Sequence, residues 1–244
     1  MTHVRLIDAQ ERDQLASLLN RQSANDALAA YCALLHPIEK VKLFVSYDGG
    51  GKPNSFVAIA QTGMDLFRPL AVPFVATSKN LQELLSAALI PGQPVLLNLP
   101  LEQRDWLDED LVLSETKITE LLRLEPIGFK PILNVLVVKV DMPNGLPRFE
   151  IRTRSGSAAA AGINWIGDRF AEIYLEADRE AQIRGMGLSV IAAMSKHLLE
   201  ENRIPLFGLD SRADLEFKEL SDIGFRSTGT RMLIGQALYQ FQIE

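Results

Sequence analysis

The sequence predicts an α/β fold, with helices packed on a mixed sheet and the chain divided into two domains. Three observations lead there. Short apolar runs with strand-like alternation are interleaved with runs of helical period. A Pro/Gly-rich stretch, DMPNGLP (141–147), falls between two halves that each contain both kinds of run. Near 170–202 a strand pattern, FAEIYLEA, leads through a glycine-punctuated connector into an amphipathic helix, the order of a parallel crossover unit. At 244 residues and 47% hydrophobic, the chain can build one large core or two small ones. We expect domains at 1–140 and 147–244.

In chain order, residues 8–36 read as helical, with Leu15, Leu18, Leu19, Ala27, Leu28, Tyr31, Leu34 and Leu35 recurring at three and four. Asp8 suits an N-cap, Ser23 or Asn25 can start a second helix, and Pro37 stops the run. VKLFVSY (41–47) and SFVAIAQT (55–62) form a hairpin around Gly49-Gly50-Gly51. LAVPFVATS (70–78) is a third strand, and Pro73 suggests an edge or a bulge. Helix LQELLSAAL (81–89), strand PVLLNLP (94–100) and a short helix at LEQRDWL follow. ITELLRLEP reads equally as helix or strand, whereas ILNVLVVKV (132–140) reads as a strand. Beyond 141–147, taken as a linker, RFEIRTR (148–154), AAAAGINWIG (158–167) and FAEIYLEA (170–177) make a meander whose first turn lies near Ser155-Gly156. A helix over 188–202, strand RIPLFGLD (203–210), a helix from Ala213 to Asp222, and two strands within 224–241 split near Gly235 complete the chain.

Composition excludes several function classes. A net charge of -6 does not favour nucleic-acid binding through phosphates. The single cysteine, Cys32, excludes an internal disulfide and a cysteine-ligated metal. His3, His36 and His197 show no ligand spacing, so no metal is expected. Neither a signal peptide nor a run of about 18 apolar residues is present, which reads as a cytoplasmic chain without a membrane span. Gly49–Lys52 lacks the spacing of a phosphate loop, Gly185–Val190 lacks the third glycine of a dinucleotide fingerprint, and no serine sits in a triad-like motif.

The chemistry concentrates in Gln182-Ile183-Arg184-Gly185-Met186-Gly187. Glycines allow tight turning and close approach of a ligand. The first amides of the helix that follows lack intrahelical partners and lie at the positive end of its dipole. Together they form a seat for phosphate or pyrophosphate; alternatively, the glycines serve only tight packing of a βαβ turn. The stretch resembles motif A of the GNAT acyltransferases, Gln/Arg-x-x-Gly-x-Gly/Ala, with Gln182, Gly185 and Gly187 in the matching positions. The resemblance extends over the last ~95 residues. It implies a GNAT-like fold, acetyl-CoA as co-substrate, and acetyl transfer to a primary amine by direct attack. It also implies a cofactor-binding set of Leu175, Glu176, Ala177, Gln182, Ile183, Arg184, Gly185, Met186, Gly187, Leu188, Ser189 and Ser211. Element order in 1–140 matches a GNAT domain too, but Thr77-Ser78-Lys79-Asn80 lacks glycine, so a tandem with a degenerate first copy is expected.

Along FAEIYLEA, Glu172, Tyr174 and Glu176 share one face, and Ala171, Ile173, Leu175 and Ala177 the other. Transfer to an amine needs a group that removes a proton from the ammonium, a task for a tuned carboxylate. The resemblance assigns it first to Glu172 and second to Glu176; two acids on a solvated strand face is the plain structural reading. The resemblance also implies that a backbone N–H near Leu175 or Glu176, beside a bulge where strands splay, would hold the oxyanion. Two positions depart from the family. The tyrosine that usually protonates the leaving thiolate is Leu220, leaving solvent or Tyr174 as the acid. The polar residue that holds the pantetheine arm is Ala213, with Ser211 as a substitute. Arg184 and Ser189 are candidate phosphate contacts or plain solvated residues. Two function classes therefore stand: an N-acetyltransferase, monomeric or homodimeric, and a non-catalytic CoA-sensing or interaction module.

Overall fold

The computed structural model of the chain describes residues 3–63, 65, 67–154, 156–212 and 215–240. In order, the elements are β1 (His3–Ile7), a 3₁₀ helix (Ala9–Leu18), α1 (Ala27–Ala30) continuing as a π-turn (Tyr31–Leu35), β2 (Val41–Tyr47), β3 (Pro53–Ala60), β4 (Leu70–Phe74), α2 (Ser78–Ala88), β5 (Val95–Pro100), a 3₁₀ helix (Leu101–Trp106) and β6 (Leu111–Leu124). There follow β7 (Val137–Asp141), β8 (Pro147–Thr153), β9 (Gly156–Ile166), β10 (Phe170–Ala177), α3 (Arg179–Ile183), α4 (Met186–Glu200), β11 (Ile204–Asp210), α5 (Phe217–Asp222) and β12 (Phe225–Tyr239). The predicted mixed α/β class is the one observed.

Two compact units divide this chain, Met1–Thr119 with Arg231–Glu244, and Glu120–Thr230. The division differs from the expected one at 141–147. Asp141 pairs with Pro147, Gly145 has φ +75°, and its N–H donates to the Met142 carbonyl at 2.8 Å, so the Pro/Gly-rich stretch is the tight turn of the β7–β8 hairpin. Those residues favour a turn and a linker alike, and only pairing tells the two apart. Strands β6 and β12 each supply both units. Met232–Ala237 of β12 pairs antiparallel with β5, so the chain's last strand completes its first unit. Gly235 therefore does not split two strands. A side chain there would strike Thr116, a close approach that explains the glycine inside one continuous strand.

The first unit arranges β1, β2, β3 and β4 as antiparallel neighbours, then returns through α2 to lay β5 parallel to β4. Both sheet faces are covered. Leu43, Val45 and Phe56 face Leu15, Cys32 and Ala33; Val57, Ala71, Leu97 and Leu99 face Leu81, Leu84 and Leu85 of α2. Each fully buried aliphatic side chain is worth about 1.5–3 kcal/mol. Asp8 caps the first 3₁₀ helix, accepting from the Gln10 N–H at 2.9 Å. Pro73 sits in an interior strand, not at an edge. It is tolerated because β4 and β5 pair only at Leu70↔Leu96 and Ala71↔Leu97, so no ladder bond to β5 is lost at Pro73.

The second unit repeats the plan: β7, β8, β9 and β10 are antiparallel neighbours, and β11 returns parallel to β10 through α4. Helix α4 buries Gly187, Val190, Ile191, Met194 and Leu198, a stripe at spacings of three and four, against Ile151, Ala159, Ala161 and Ile173. The segment expected as a strand over 132–140 is extended only at Val137–Asp141; Leu133 and Val135 are exposed and unpaired with a neighbouring strand. The expected turn at Ser155 and the helix start at Ala213 lie outside the described residues, and the later helix is described over Phe217–Asp222. No described helix is long and apolar enough to cross a membrane.

Candidate functional site

Strands β10 and β11 open a gap in the second unit. Their parallel pairing runs from Phe170↔Ile204 to Ile173↔Phe207 and stops, although β10 continues to Ala177 and β11 to Asp210. A bulge lies just before this point, where the β9–β10 register shifts between Glu172 and Ile173. Strand amides point alternately to the two neighbours, so past Ile173 every second N–H of β10 faces the gap. Leu175 and Ala177 are half-buried along it and pack on the core with Leu209.

The connector after β10 differs from the expected loop. Asp178 accepts from the Ala181 N–H at 2.7 Å and caps the short helix α3, so Gln182 and Ile183 are helical. Gly185 alone makes the turn, at φ +69°, and α4 begins at Met186 instead of Leu188. Three amides are taken up locally: Gln182 by Asp178 O at 3.0 Å, Arg184 by Glu180 O at 3.2 Å, and Gly185 by Gln182 O at 2.9 Å. The Met186, Gly187 and Leu188 amides open α4, where no carbonyl precedes them in the helix and Gly185 has no side chain to cap them. A side chain at Gly187 would strike the Gln182 carboxamide, which lies over the first turn of α4. These three amides and the dipole behind them fit an anion.

Other candidates are placed less directly. The exposed Arg184 pairs with Glu180 at 2.5 Å. Ser189 is buried; its hydroxyl donates to the Gly185 carbonyl at 2.9 Å and accepts from Asn134 at 3.2 Å, which pins the turn. Ser211 is exposed just past β11. Met186 and Leu188 are half-buried against the core, while Ile183 is 79% exposed. A cavity of about 550 Å³ borders α3 and α5, lined by Arg179, Gln182, Ile183, Glu216, Lys218, Glu219 and Asp222. Its acids outnumber its cations, which weakens it as a phosphate site away from the α4 amides.

On the opposite face of β10 the three sequence-predicted groups part company. Glu172 accepts from the indole N–H of Trp165 at 2.5 Å. Trp165 is buried, and this bond orients the carboxylate. Tyr174 lies flat across Gly162, where any side chain would strike its ring, and its hydroxyl accepts from Arg148 Nη1 at 3.0 Å. Glu176 accepts from Arg148 Nη2 at 2.6 Å. Arg148 stands on β8, on the far side of β9 from β10, so both side chains are drawn away from the gap. The bond to Glu176 and, after it, that to Tyr174 hold the Arg148 guanidinium more firmly protonated, against the cost of burial. Leu220 is wholly buried in the core, so that position supplies no acid. Sequence reasoning missed Arg148; the signal was the alternation Arg148, Glu150, Arg152 on one face of β8.

No family model matches the chain, and no curated protein does. Solved structures do. An acetyltransferase of the GNAT family from Colwellia psychrerythraea shares 11% identity over 96% of this chain and 99% of its own, with a TM-score of 0.54. A tandem GNAT protein from the clavulanic acid biosynthesis pathway shares 10% identity over 97% of this chain and 98% of its own, with a TM-score of 0.59. A GCN5-related N-acetyltransferase from Sphaerobacter thermophilus shares 8% identity over 100% of this chain and 97% of its own, with a TM-score of 0.57. At such identities the likeness is one of architecture, and the architecture of this chain is the fold of the GNAT acetyltransferases.

Proposed function

We propose that the second unit binds acetyl-CoA and transfers its acetyl group to a primary amine without a covalent enzyme intermediate. One observation carries this: the β10–β11 pairing ends at Ile173↔Phe207 beside a helix that opens on Gly185 with uncapped amides. The amides of Met186, Gly187 and Leu188 would hold the pyrophosphate, with Gln182 laid across them. The gap, lined by Leu175 and Ala177, would admit the pantetheine arm, and Ser211 would supply a polar contact to it. Glu172, oriented by Trp165, takes the proton from the incoming ammonium. The amine then attacks the thioester carbonyl; the N–C bond forms, the C–S bond breaks, the nitrogen gives up its second proton to solvent, and an N–H near Leu175 or Glu176 stabilises the oxyanion. Solvent protonates the thiolate, because Leu220 is buried and Tyr174 is bonded to Arg148.

The test pairs acetyl-CoA binding by calorimetry with turnover on a pool of primary amines, wild type against Glu172→Gln. Binding retained and turnover lost in the variant is the expected result. A second reading, a CoA-sensing module, is favoured by the buried Leu220 and by the diversion of Tyr174 and Glu176 to Arg148. It predicts binding by the wild type with no turnover on any amine.

A further inference from the structure

The Arg148 cluster is more elaborate than sheet packing requires. Arg148 and Glu150 on β8, and Tyr174 and Glu176 on β10, meet over Ala160 and Gly162 of β9, whose small side chains leave the space they fill. The Arg148 side chain is only 14% exposed. Its partners divide into two kinds. Glu150, 6% exposed, accepts from Arg148 Nε at 3.4 Å and from Arg152, a built-in counter-charge that does not leave. Glu176 is 61% exposed and touches Arg148 by its tip alone, through one oxygen. A guanidinium has five N–H donors. Nε is directed to Glu150, and each terminal nitrogen gives one bond, to Tyr174 and to Glu176. The bond to Glu176 is the one whose partner can swing out to solvent, which frees that nitrogen for another carboxylate.

We infer that Arg148 binds a carboxylate on the acceptor, so that the substrate class is an amine bearing a nearby carboxyl group, and that Glu176 occupies the place of that carboxylate until it is displaced. This rests on the acetyl-transfer reading. Tyr174 immediately follows Ile173, the last residue paired with β11, so a carboxylate held beside Tyr174 brings its amine to the level of the gap. Exchanging one carboxylate for another leaves the charge of the half-buried cluster unchanged. That removes the main electrostatic cost of binding an anion there.

The test compares glycine and β-alanine with glycinamide and ethylamine, by calorimetry on the protein alone and by steady-state turnover with acetyl-CoA. The wild type is expected to bind the carboxylated amines and to favour them in kcat/KM. Arg148→Gln should weaken carboxylate binding at least ~10-fold while leaving the KM of the carboxyl-free amines unchanged. Arg148→Lys, which keeps the charge and loses the fork, should fall between, and it serves if the glutamine variant does not fold. Glu176→Gln should tighten carboxylate binding. Equal binding of acids and amides by the wild type, or equal weakening of both classes by Arg148→Gln, would overturn the inference. Arg148-dependent binding of carboxylates without turnover on any amine would leave the inference standing and overturn the acetyl-transfer reading alone.

Discussion

The two units share a plan and differ at one place. Each lays two strands parallel across a helical crossover and stops pairing them early, at Ala71↔Leu97 in the first and Ile173↔Phe207 in the second. In the first unit a side chain of the protein bridges the two strand ends. Gln103, buried and just past β5, donates from Nε2 to the carbonyl of Val75, just past β4, at 3.3 Å. Thr77 then caps α2, its hydroxyl accepting from the Asn80 N–H. In the second unit the residue just past β11 is the exposed Ser211, and α4 begins on a glycine that caps nothing. One residue before the last parallel pair stands Leu70 in the first unit and Glu172 in the second. Parallel pairing stops early twice, and different side chains stand beside each opening.

The largest effect is expected at Glu172. Glu172→Gln keeps the size and the acceptor for Trp165 but cannot take a proton, so kcat/KM should fall about 10²–10⁴-fold with the acetyl-CoA affinity unchanged. Next is the turn. Gly185→Val forces a branched side chain to φ +69°, a strain of about 1–2 kcal/mol that moves the first turn of α4 and should cost acetyl-CoA affinity about 10-fold or more by calorimetry. In the first unit, Gln103→Ala should destabilise the chain by about 1–3 kcal/mol in urea unfolding by stranding the Val75 carbonyl. It should not create a second binding event, because Thr77 still caps α2.

The smallest effect concerns acid. His36 is buried, bonded through Nε2 to the Gln61 carbonyl and through Nδ1 to the Tyr31 hydroxyl, and burial lowers its pKa below the ordinary 6.5. The unfolded chain then binds a proton that the folded chain refuses, so stability should decline as pH falls from about 6.5 through the lowered value. His36→Gln should flatten that decline, read as urea midpoints between pH 7 and 5.

Much of this architecture was legible in the sequence. Short apolar runs marked β2, β3, β5, β8, β9, β10 and β11, and helical spacing marked α2 and α4. Pairing was not legible. DMPNGLP carries the residues of a turn and of a linker alike, Gly235 those of a break and of a close approach, and the return of β12 to the first unit leaves no local trace. At the candidate site, Gln182, Gly185 and Gly187 marked the connector at which α4 begins. The cap on α3 and the direction of Tyr174 depend on Asp178, Gly162 and Arg148, whose partners lie elsewhere in the chain or in an unpredicted helix.

On the proposed function each chain has one open seat, at the start of α4. It is tested by calorimetric titration of the full chain with acetyl-CoA, wild type beside Gly185→Val. One binding event per chain is expected in the wild type, weakened about 10-fold or more in a variant that still unfolds cooperatively. Two events per chain, or an affinity unchanged by the substitution, would rule the seat out.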